Sequence, residues 1–289
     1  MLPVYALPWR LSLGRIPATK MKAFAAVAVS SAIVALWVSA ASAQLGPPTG
    51  GHDWSGFYVG GNLGGALKQQ STSLSIENNN PNNYFNAGAI PGVENSGSFD
   101  LDDHGITLGA QAGYNRQTGR LVYGVEFDFN WLDLSARHGG TFRYRTDNSP
   151  YNFRFSESTD WLLTARPRLG WTIDRLLLYV TAGIAASHSE FKQTFSEPPF
   201  TPNPESVSVS RTTVGWTVGT GVEFALGRNW STKAEYLYAR FGGTDVVGRL
   251  GGADGQSAAL GSVDGAKFTN SLSPLGLHLF RVGVNYRFW

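Results

Sequence analysis

Apolar residues alternate with small or polar residues, with a period of two, over much of this sequence. The pattern is clearest over 122–134, where Tyr123, Val125, Phe127 and Phe129 share one parity and Gly, Glu, Asp and Asn occupy the other. Successive side chains of a β-strand point to opposite faces of the sheet. This segment therefore predicts a strand with one apolar face and one polar face.

About eight segments carry the same alternation. They lie at 57–67, 106–115, 122–134, 160–171, 176–187, 214–224, 231–238 and 280–288. Turn-length links join them in pairs at 117–119, 174–175 and 227–229. Longer polar stretches, rich in Asn, Ser, Gly and Pro, separate the pairs at 68–103, 137–157, 189–208 and 241–277.

The order of these connections distinguishes between two all-β folds. A soluble sandwich would also alternate, with its apolar faces buried and its charges outside. A strict succession of short and long connections is instead typical of a membrane barrel, with short turns in the periplasm and long loops outside. The sequence thus predicts an all-β fold, a closed antiparallel eight-stranded transmembrane β-barrel with short periplasmic turns and long extracellular loops.

The polar parity of these strands would face the barrel lumen. A sheet in lipid can have no open edge, because its N–H and C=O groups find no water there. Eight strands leave a lumen just wide enough for side chains to fill. Charges of both signs on this parity predict a cross-lumen network that is first a structural plug and only second a pore lining. Its predicted members are Glu126, Asp128, Arg166, Arg168, Glu223, Lys233, Glu235, Arg281 and Arg287.

Aromatic residues lie on the apolar parity or at strand ends. An amphipathic ring at such a position can sit at the level of the lipid headgroups. The predicted aromatic girdle consists of Trp131, Trp161, Trp171, Trp216, Trp230, Tyr236, Tyr238 and Tyr286.

The N-terminal region has the order of an export signal. Basic residues precede an apolar run that ends at Ala41-Ser42-Ala43, which predicts a signal peptide over 21–43 with cleavage after Ala43. Residues 1–20 would be an upstream extension and 44–289 the barrel domain. The apolar run is also long enough for an uncleaved anchor.

Charge and cysteine content limit the possible functions of the exported chain. Residues 1–43, which precede the predicted cleavage site, hold four of the 23 basic residues and none of the 21 acidic residues. The mature chain is therefore near neutral. The basic surface that nucleic acid requires is therefore missing, and we expect no nucleic-acid partner. The absence of cysteine excludes disulfides and thiolate metal sites.

Segments 54–62, 178–183, 215–224 and 230–238 resemble the opacity-like, porin-type outer-membrane proteins of alphaproteobacteria, often called outer-membrane immunogenic proteins. The resemblance covers nearly the whole mature chain except the loops, and it implies the cell outer membrane as location. The C-terminal alternation looks like the signal that the family presents to the barrel-assembly machinery. It consists of Phe280, Val282, Val284, Tyr286 and Phe288, with Trp289 as an extra aromatic residue.

Few residues indicate chemistry. None of the five histidines forms a close metal-ligand pair, and 60–65 lacks the Lys-Ser/Thr of a phosphate loop. Ser187-His188-Ser189-Glu190 is the one stretch that suggests a hydrolase of outer-membrane lipid, but adjacent strand residues point to opposite faces. We predict no catalytic residue, no metal, no cofactor and no enzyme.

The predicted function is envelope integrity and surface contact, with slow porin-like permeation of small solutes. One alternative is a true diffusion channel. Another is a surface ligand binder or adhesin acting through the long loops, of which 78–83 and 198–204 are expected to be exposed and hydrated. Expected partners are outer-membrane lipid and lipopolysaccharide, the assembly machinery, and host or ligand molecules at the loops. The oligomeric state is left open.

Overall fold

The computed structural model describes residues 52–78, 87–197, 205–250 and 266–288. The predicted signal peptide, its cleavage after Ala43, the upstream extension and Trp289 lie outside the described residues. So do nearly all of the Asn-rich 78–83 and the whole Pro-rich run from 198 to 204.

Twelve strands and one helix lie in the described residues. The strands are β1 (Gly56–Gln69), β2 (Ser71–Asn78), β3 (Phe99–Asp100), β4 (Asp103–Thr118), β5 (Leu121–Arg143), β6 (Pro150–Ile173), β7 (Leu176–Ser196), β8 (Glu205–Ala225), β9 (Trp230–Phe241), β10 (Thr244–Leu250), β11 (Ala266–Leu272) and β12 (Gly276–Arg287). The helix α1 covers Ile90–Ser96. No helix among these residues is long and apolar enough to span a membrane.

Eight strands close into an antiparallel barrel in the order β1-β12-β9-β8-β7-β6-β5-β4. Closure is made by β1, which pairs with β12 from Tyr58 to Gln69 and with β4 from Gly56 to Lys68. No backbone edge is left open to lipid along these stretches, as hydrocarbon requires. The predicted closed eight-stranded barrel is confirmed.

The outer face of the barrel is apolar and uncovered. Phe57, Ile106 and Val214 are each exposed by two thirds or more, whereas Asn130 and Thr164, on the opposite parity, are buried. Water would disfavour so large an apolar surface, but lipid contacts it favourably. The alternation thus sorts side chains between lipid and lumen.

Tight turns join the strands at the periplasmic end. Gly119 and Arg120 connect β4 to β5, and Asp174 and Arg175 connect β6 to β7. Gly119 and Asp174 have φ values of 63° and 51°, the left-handed region that glycine and aspartate tolerate best.

Much of the chain that the sequence assigns to long loops is strand instead. β5 continues to Arg143 and β6 begins at Pro150, so 137–157 contains only a six-residue connection. β7 and β8 likewise extend into 189–208. The loop assignment fails here because these extensions rise past the lipid, where the outer face is polar. A register shift between Thr159 and Trp161 also reverses the parity of β6.

The extracellular segments fold together. β10, β11, β2 and β3 form a four-stranded sheet in that order. This sheet, α1 and the inner face of the extended barrel strands bury a common core, which includes Val93, Leu101, Phe153, Phe195 and Phe268. Each such side chain stabilises the fold by roughly 1.5–3 kcal/mol through burial. These segments are therefore not merely hydrated loops.

Candidate functional site

Eight charged side chains from five barrel strands meet in the middle of the lumen. Each lies on the inward parity of its strand and is at most 4% exposed. They are Glu126 and Asp128 of β5, Arg166 and Arg168 of β6, Glu223 of β8, Lys233 and Glu235 of β9, and Arg281 of β12.

Arg166 is the centre of this lumen network. Its Nη2 lies 2.7 Å from Glu126 Oε1 and 2.5 Å from Asp128 Oδ2, and its Nη1 lies 3.0 Å from Glu235 Oε1. One guanidinium therefore holds carboxylates from β5 and β9, which are not neighbours in the barrel. Such charge-assisted hydrogen bonds are the strongest that side chains make.

Arg281 and Lys233 complete the upper part of the network. Arg281 Nη1 lies 2.9 Å from Asp128 Oδ1, and its Nη2 donates to Glu235. Lys233 Nζ lies 3.0 Å from Glu126 Oε2. Every carboxylate that Arg166 binds thus has a second cation beside it.

Arg168 forms the part nearer the periplasm. It donates to Glu223, and its guanidinium carbon lies 3.7 Å from the centre of the Tyr179 ring. Glu223 also accepts hydrogen bonds from Ser231 at 2.5 Å and from Asn285 at 2.8 Å. A ring face is a favourable surface for a buried cation.

The lumen network is electrically neutral. It contains three arginines and one lysine against three glutamates and one aspartate. Removing an ion from water costs several kcal/mol, and only close pairing offsets that penalty. Neutrality and direct pairing together mean that the side chains fill the lumen at this level and leave no charge in need of a mobile ion.

Trp54 closes the periplasmic end. It precedes β1, is 2% exposed, and packs with Val122 and Leu177. Its Nε1 donates to Thr172 Oγ1 at 3.1 Å, and its backbone N–H donates to Gln117 Oε1 at 2.8 Å. The chain therefore folds under the barrel mouth before it enters the first strand.

The extracellular end of the network is closed by an apolar layer. Leu132, Leu162, Leu237 and Leu277 belong to one buried cluster there. A further ion pair, Lys68 Nζ to Glu157 Oε2 at 2.9 Å, is also buried. The sequence missed this pair because both residues were assigned to loops, and it missed the role of Trp54, which lies outside the alternating pattern.

Arg287 is the one predicted lumen charge that does not join the network. Its Nη2 donates to the backbone oxygen of Arg228 at 2.8 Å, and the side chain is partly exposed. Arg287 occupies the last inward position of β12, level with the β8–β9 turn, so it reaches that turn instead of the carboxylates. Its assignment to the network is therefore wrong.

The predicted girdle residues all lie on the outer face, in two groups. Trp171, Trp230 and Tyr286 lie near the periplasmic turns, and Trp230 contacts Tyr286 with ring centres 5.0 Å apart. The other group lies toward the extracellular end and comprises Trp131, Trp161, Trp216, Tyr236 and Tyr238.

The residues of the predicted assembly signal also share one face. Phe280, Val282, Val284 and Tyr286 point outward from β12, and the backbone N–H of Phe288 donates to Phe57 O at 2.8 Å. Their recognition by the assembly machinery stays a prediction.

His188 lies on the outer face, beside two hydroxyls of β8. Its Nε2 lies 3.1 Å from Ser210 Oγ and its Nδ1 lies 3.1 Å from Thr212 Oγ1. Ser187 and Ser189 bond to groups of β6 instead. In the described part of the chain, no carboxylate orients His188 and no group of three His, Asp or Glu residues could hold a metal ion.

Comparison with known proteins gives consistent matches. The family model described as outer membrane protein beta-barrel domain matches residues 30–288. The 31 kDa outer-membrane immunogenic protein of Brucella melitensis is 30% identical over 274 residues, which cover 93% of this chain and 98% of that protein. The 22 kDa outer membrane protein of Rhizobium leguminosarum is 29% identical over 205 residues, covering 70% of this chain and 72% of that protein.

Solved structures give more distant matches. The outer membrane protein OprG from Pseudomonas aeruginosa is 14% identical with a TM-score of 0.42, covering 82% of this chain and 99% of OprG. Neisserial surface protein A is 16% identical with a TM-score of 0.34, covering 81% of this chain and 98% of its own.

Proposed function

Because the chain belongs to the outer membrane protein β-barrel domain family and resides in the outer membrane, we propose that it maintains envelope integrity and surface contact and does not act as an open diffusion channel. Its barrel would be a lipid-embedded scaffold that displays the extracellular segments.

The observation that carries this proposal is the neutral lumen network. Four cations and four carboxylates pair directly across the lumen, with Trp54 beneath them and a leucine layer above. Solute passage would require several buried ion pairs to separate together, and each unpaired charge in a low-dielectric lumen is strongly unfavourable. Slow permeation would therefore depend on rare openings of the network.

Planar-bilayer recording on the folded full chain tests the proposal. We expect no discrete, reproducible openings at moderate voltage, with heat-modifiable gel migration of the same sample as the control for a closed barrel. Regular single-channel steps from such a sample would favour the diffusion channel and overturn the proposal.

A second candidate, a ligand binder or adhesin, is favoured by the folded extracellular sheet. A fixed surface binds a partner with less loss of conformational entropy than flexible loops do. Replacing 244–272 with a short turn should abolish binding to host matrix or cells if this role exists. A scaffold without a ligand would lose nothing, and the barrel of the variant would still migrate as a folded species.

We also infer that the chain is not an enzyme. A serine nucleophile needs a base that a third group holds in orientation, and the hydrogen bonds of His188 to described residues go only to hydroxyls. His188→Ala should leave the acylation pattern of outer-membrane lipid unchanged, measured by mass spectrometry of extracted lipid. An altered pattern would reverse this inference.

A further inference from the structure

A polar groove of about 650 Å³ lies on the outer face of β5, β6 and β7, beyond the extracellular group of girdle residues. Ser135, Arg137 and Gly139 of β5 line one side, and Arg154 and Ser156 of β6 line its floor. Lys192 of β7 lines the other side. We refer to these residues as the basic groove.

Three cations project into the basic groove. Arg137 and Lys192 both face Ser156, from opposite sides, and Arg154 lies two residues away from Ser156 on the same face. Neighbouring strands are about 4.8 Å apart, so the backbones of Arg137 and Lys192 are separated by roughly 10 Å. All three side chains are exposed, and none forms an ion pair with another described residue. Such a cluster of unpaired like charges favours an anion between them.

Besides the three cations, the lining of the basic groove includes two hydroxyl groups and a glycine. Ser135 and Ser156 offer hydroxyls, and Gly139 offers no side chain. Gly139 has φ 145°, and a Cβ there would lie 2.3 Å from Phe153 O, so the backbone admits only glycine. Among the described lining residues, Glu190 alone adds an exposed carboxylate, because that of Glu157 is buried against Lys68. The groove therefore carries a net charge of about +2.

The distance of the basic groove above the aromatic girdle indicates which anionic ligand can reach it. Lys192 lies four residues beyond His188, whose ring stacks on Trp161 at 6.0 Å, and Arg154 lies seven residues beyond Trp161. At about 3.3 Å per residue and a strand tilt of about 40°, the cations lie roughly 10–18 Å above the aromatic rings. The headgroup region adds only about 5–8 Å to each side of the hydrocarbon. Phospholipid phosphates are therefore too low, whereas the sugars of lipopolysaccharide extend past this level.

We infer that the basic groove binds the phosphate and carboxylate groups on the core sugars of lipopolysaccharide. Three charge-assisted contacts and the serine hydroxyls hold the anionic sugars against the extended strands. This inference rests on the proposed envelope role and gives it a partner, since each bound lipopolysaccharide ties the barrel to the outer leaflet.

Binding of fluorescently labelled lipopolysaccharide to the folded full chain in detergent tests the inference. The probes are rough lipopolysaccharide that retains its core, lipid A without a core, phosphatidylglycerol and a soluble sulfated polysaccharide. The test variant is Arg137→Gln/Arg154→Gln/Lys192→Gln. The matched control, Arg120→Gln/Arg175→Gln/Arg228→Gln, removes the same charge at the periplasmic turns.

We expect the groove variant to bind core-bearing lipopolysaccharide about tenfold or more weakly than the wild type, since each lost charge-assisted bond is substantial. The control should bind as the wild type does, and wild-type binding should weaken with salt. The wild type should also bind core-bearing lipopolysaccharide at least about tenfold more tightly than lipid A or phosphatidylglycerol.

Four results would overturn the inference. If the groove variant bound core-bearing lipopolysaccharide as tightly as the wild type, the basic groove would not be the binding site. The same would follow if the control variant lost as much affinity as the groove variant. Lipid A bound as tightly as the core-bearing form would contradict the height argument. A preference for the sulfated polysaccharide would identify a soluble polyanion as occupant. Bilayer recordings on the same samples separate these failures from a failure of the closed-lumen proposal, because the groove lies outside the lumen.

Discussion

Arg166 Nη2 lies 2.5 Å from Asp128 Oδ2, and both side chains are completely excluded from solvent. The two residues come from neighbouring strands, and Arg166 also holds Glu126 and Glu235. Removal of the Arg166 charge would leave the lumen network with four carboxylates and three cations.

Arg166→Met should destabilise the barrel by about 3–5 kcal/mol, because removal of one partner leaves uncompensated buried charge. Urea unfolding in lipid vesicles measures the loss. Arg287→Met is the matched control, since Arg287 has the same inward parity but lies outside the network, and it should cost less than about 1 kcal/mol. Equal losses in the two variants would mean that the lumen network contributes nothing specific.

The buried pair of Lys68 and Glu157 offers a double-mutant cycle away from the network. Lys68→Met alone should cost about 3–5 kcal/mol, whereas Lys68→Met/Glu157→Gln should regain most of that loss because no charge is left unpaired. Equilibrium unfolding of the wild type, both single variants and the double variant gives the coupling energy. Additive effects would show that the two charges do not interact.

The network and this pair differ in how far the sequence could predict them. Glu126 and Asp128 lie in an unbroken alternation, so parity alone assigns them to the lumen. The contact of Asp128 with Arg281, 153 residues away, follows only once β1 and β12 close the barrel. Glu157 lies on the extracellular side of the register shift between Thr159 and Trp161, and the alternation of β6 reverses at this shift. No local sequence pattern predicts such a register shift.

The extracellular sheet marks a second limit of the sequence pattern. β2 and β11 are short, and they gain their apolar contacts from strands far away in the chain. From its sequence alone, a polar segment rich in Ser and Asn is predicted to be a loop, whether or not distant strands pack against it. Short strands that depend on distant packing are therefore hidden from a search for period-two alternation.

Trp54→Ala tests which structure closes the lumen. The substitution should destabilise the barrel by about 3–5 kcal/mol, as loss of a buried tryptophan does. It should not produce conductance, because the lumen network above it stays paired. Planar-bilayer recording on the variant checks this, and channel openings would identify Trp54 as the closure instead of the network.

His52 should make part of the barrel stability depend on pH. Its ring lies at the periplasmic end, 4.7 Å from the Trp54 ring. Burial, with a smaller contribution from the positive charge of Arg287, lowers the pKa of His52 to about 4. In the unfolded chain the pKa is near 6.5, so the unfolded state binds the proton more readily. Stability should therefore fall as the pH drops from about 6.5 to about 4, and this contribution should be constant below that range.

His52→Gln removes this titration and keeps a polar side chain of similar size. The loss of unfolding free energy between pH 7.5 and pH 4.5 should be smaller in the variant than in the wild type, although carboxylates contribute to both. His188→Gln is the control, because it makes the same substitution at a histidine on the outer face of the barrel, away from the periplasmic end. If His52→Gln retains the full wild-type pH dependence, His52 is not held neutral by the fold.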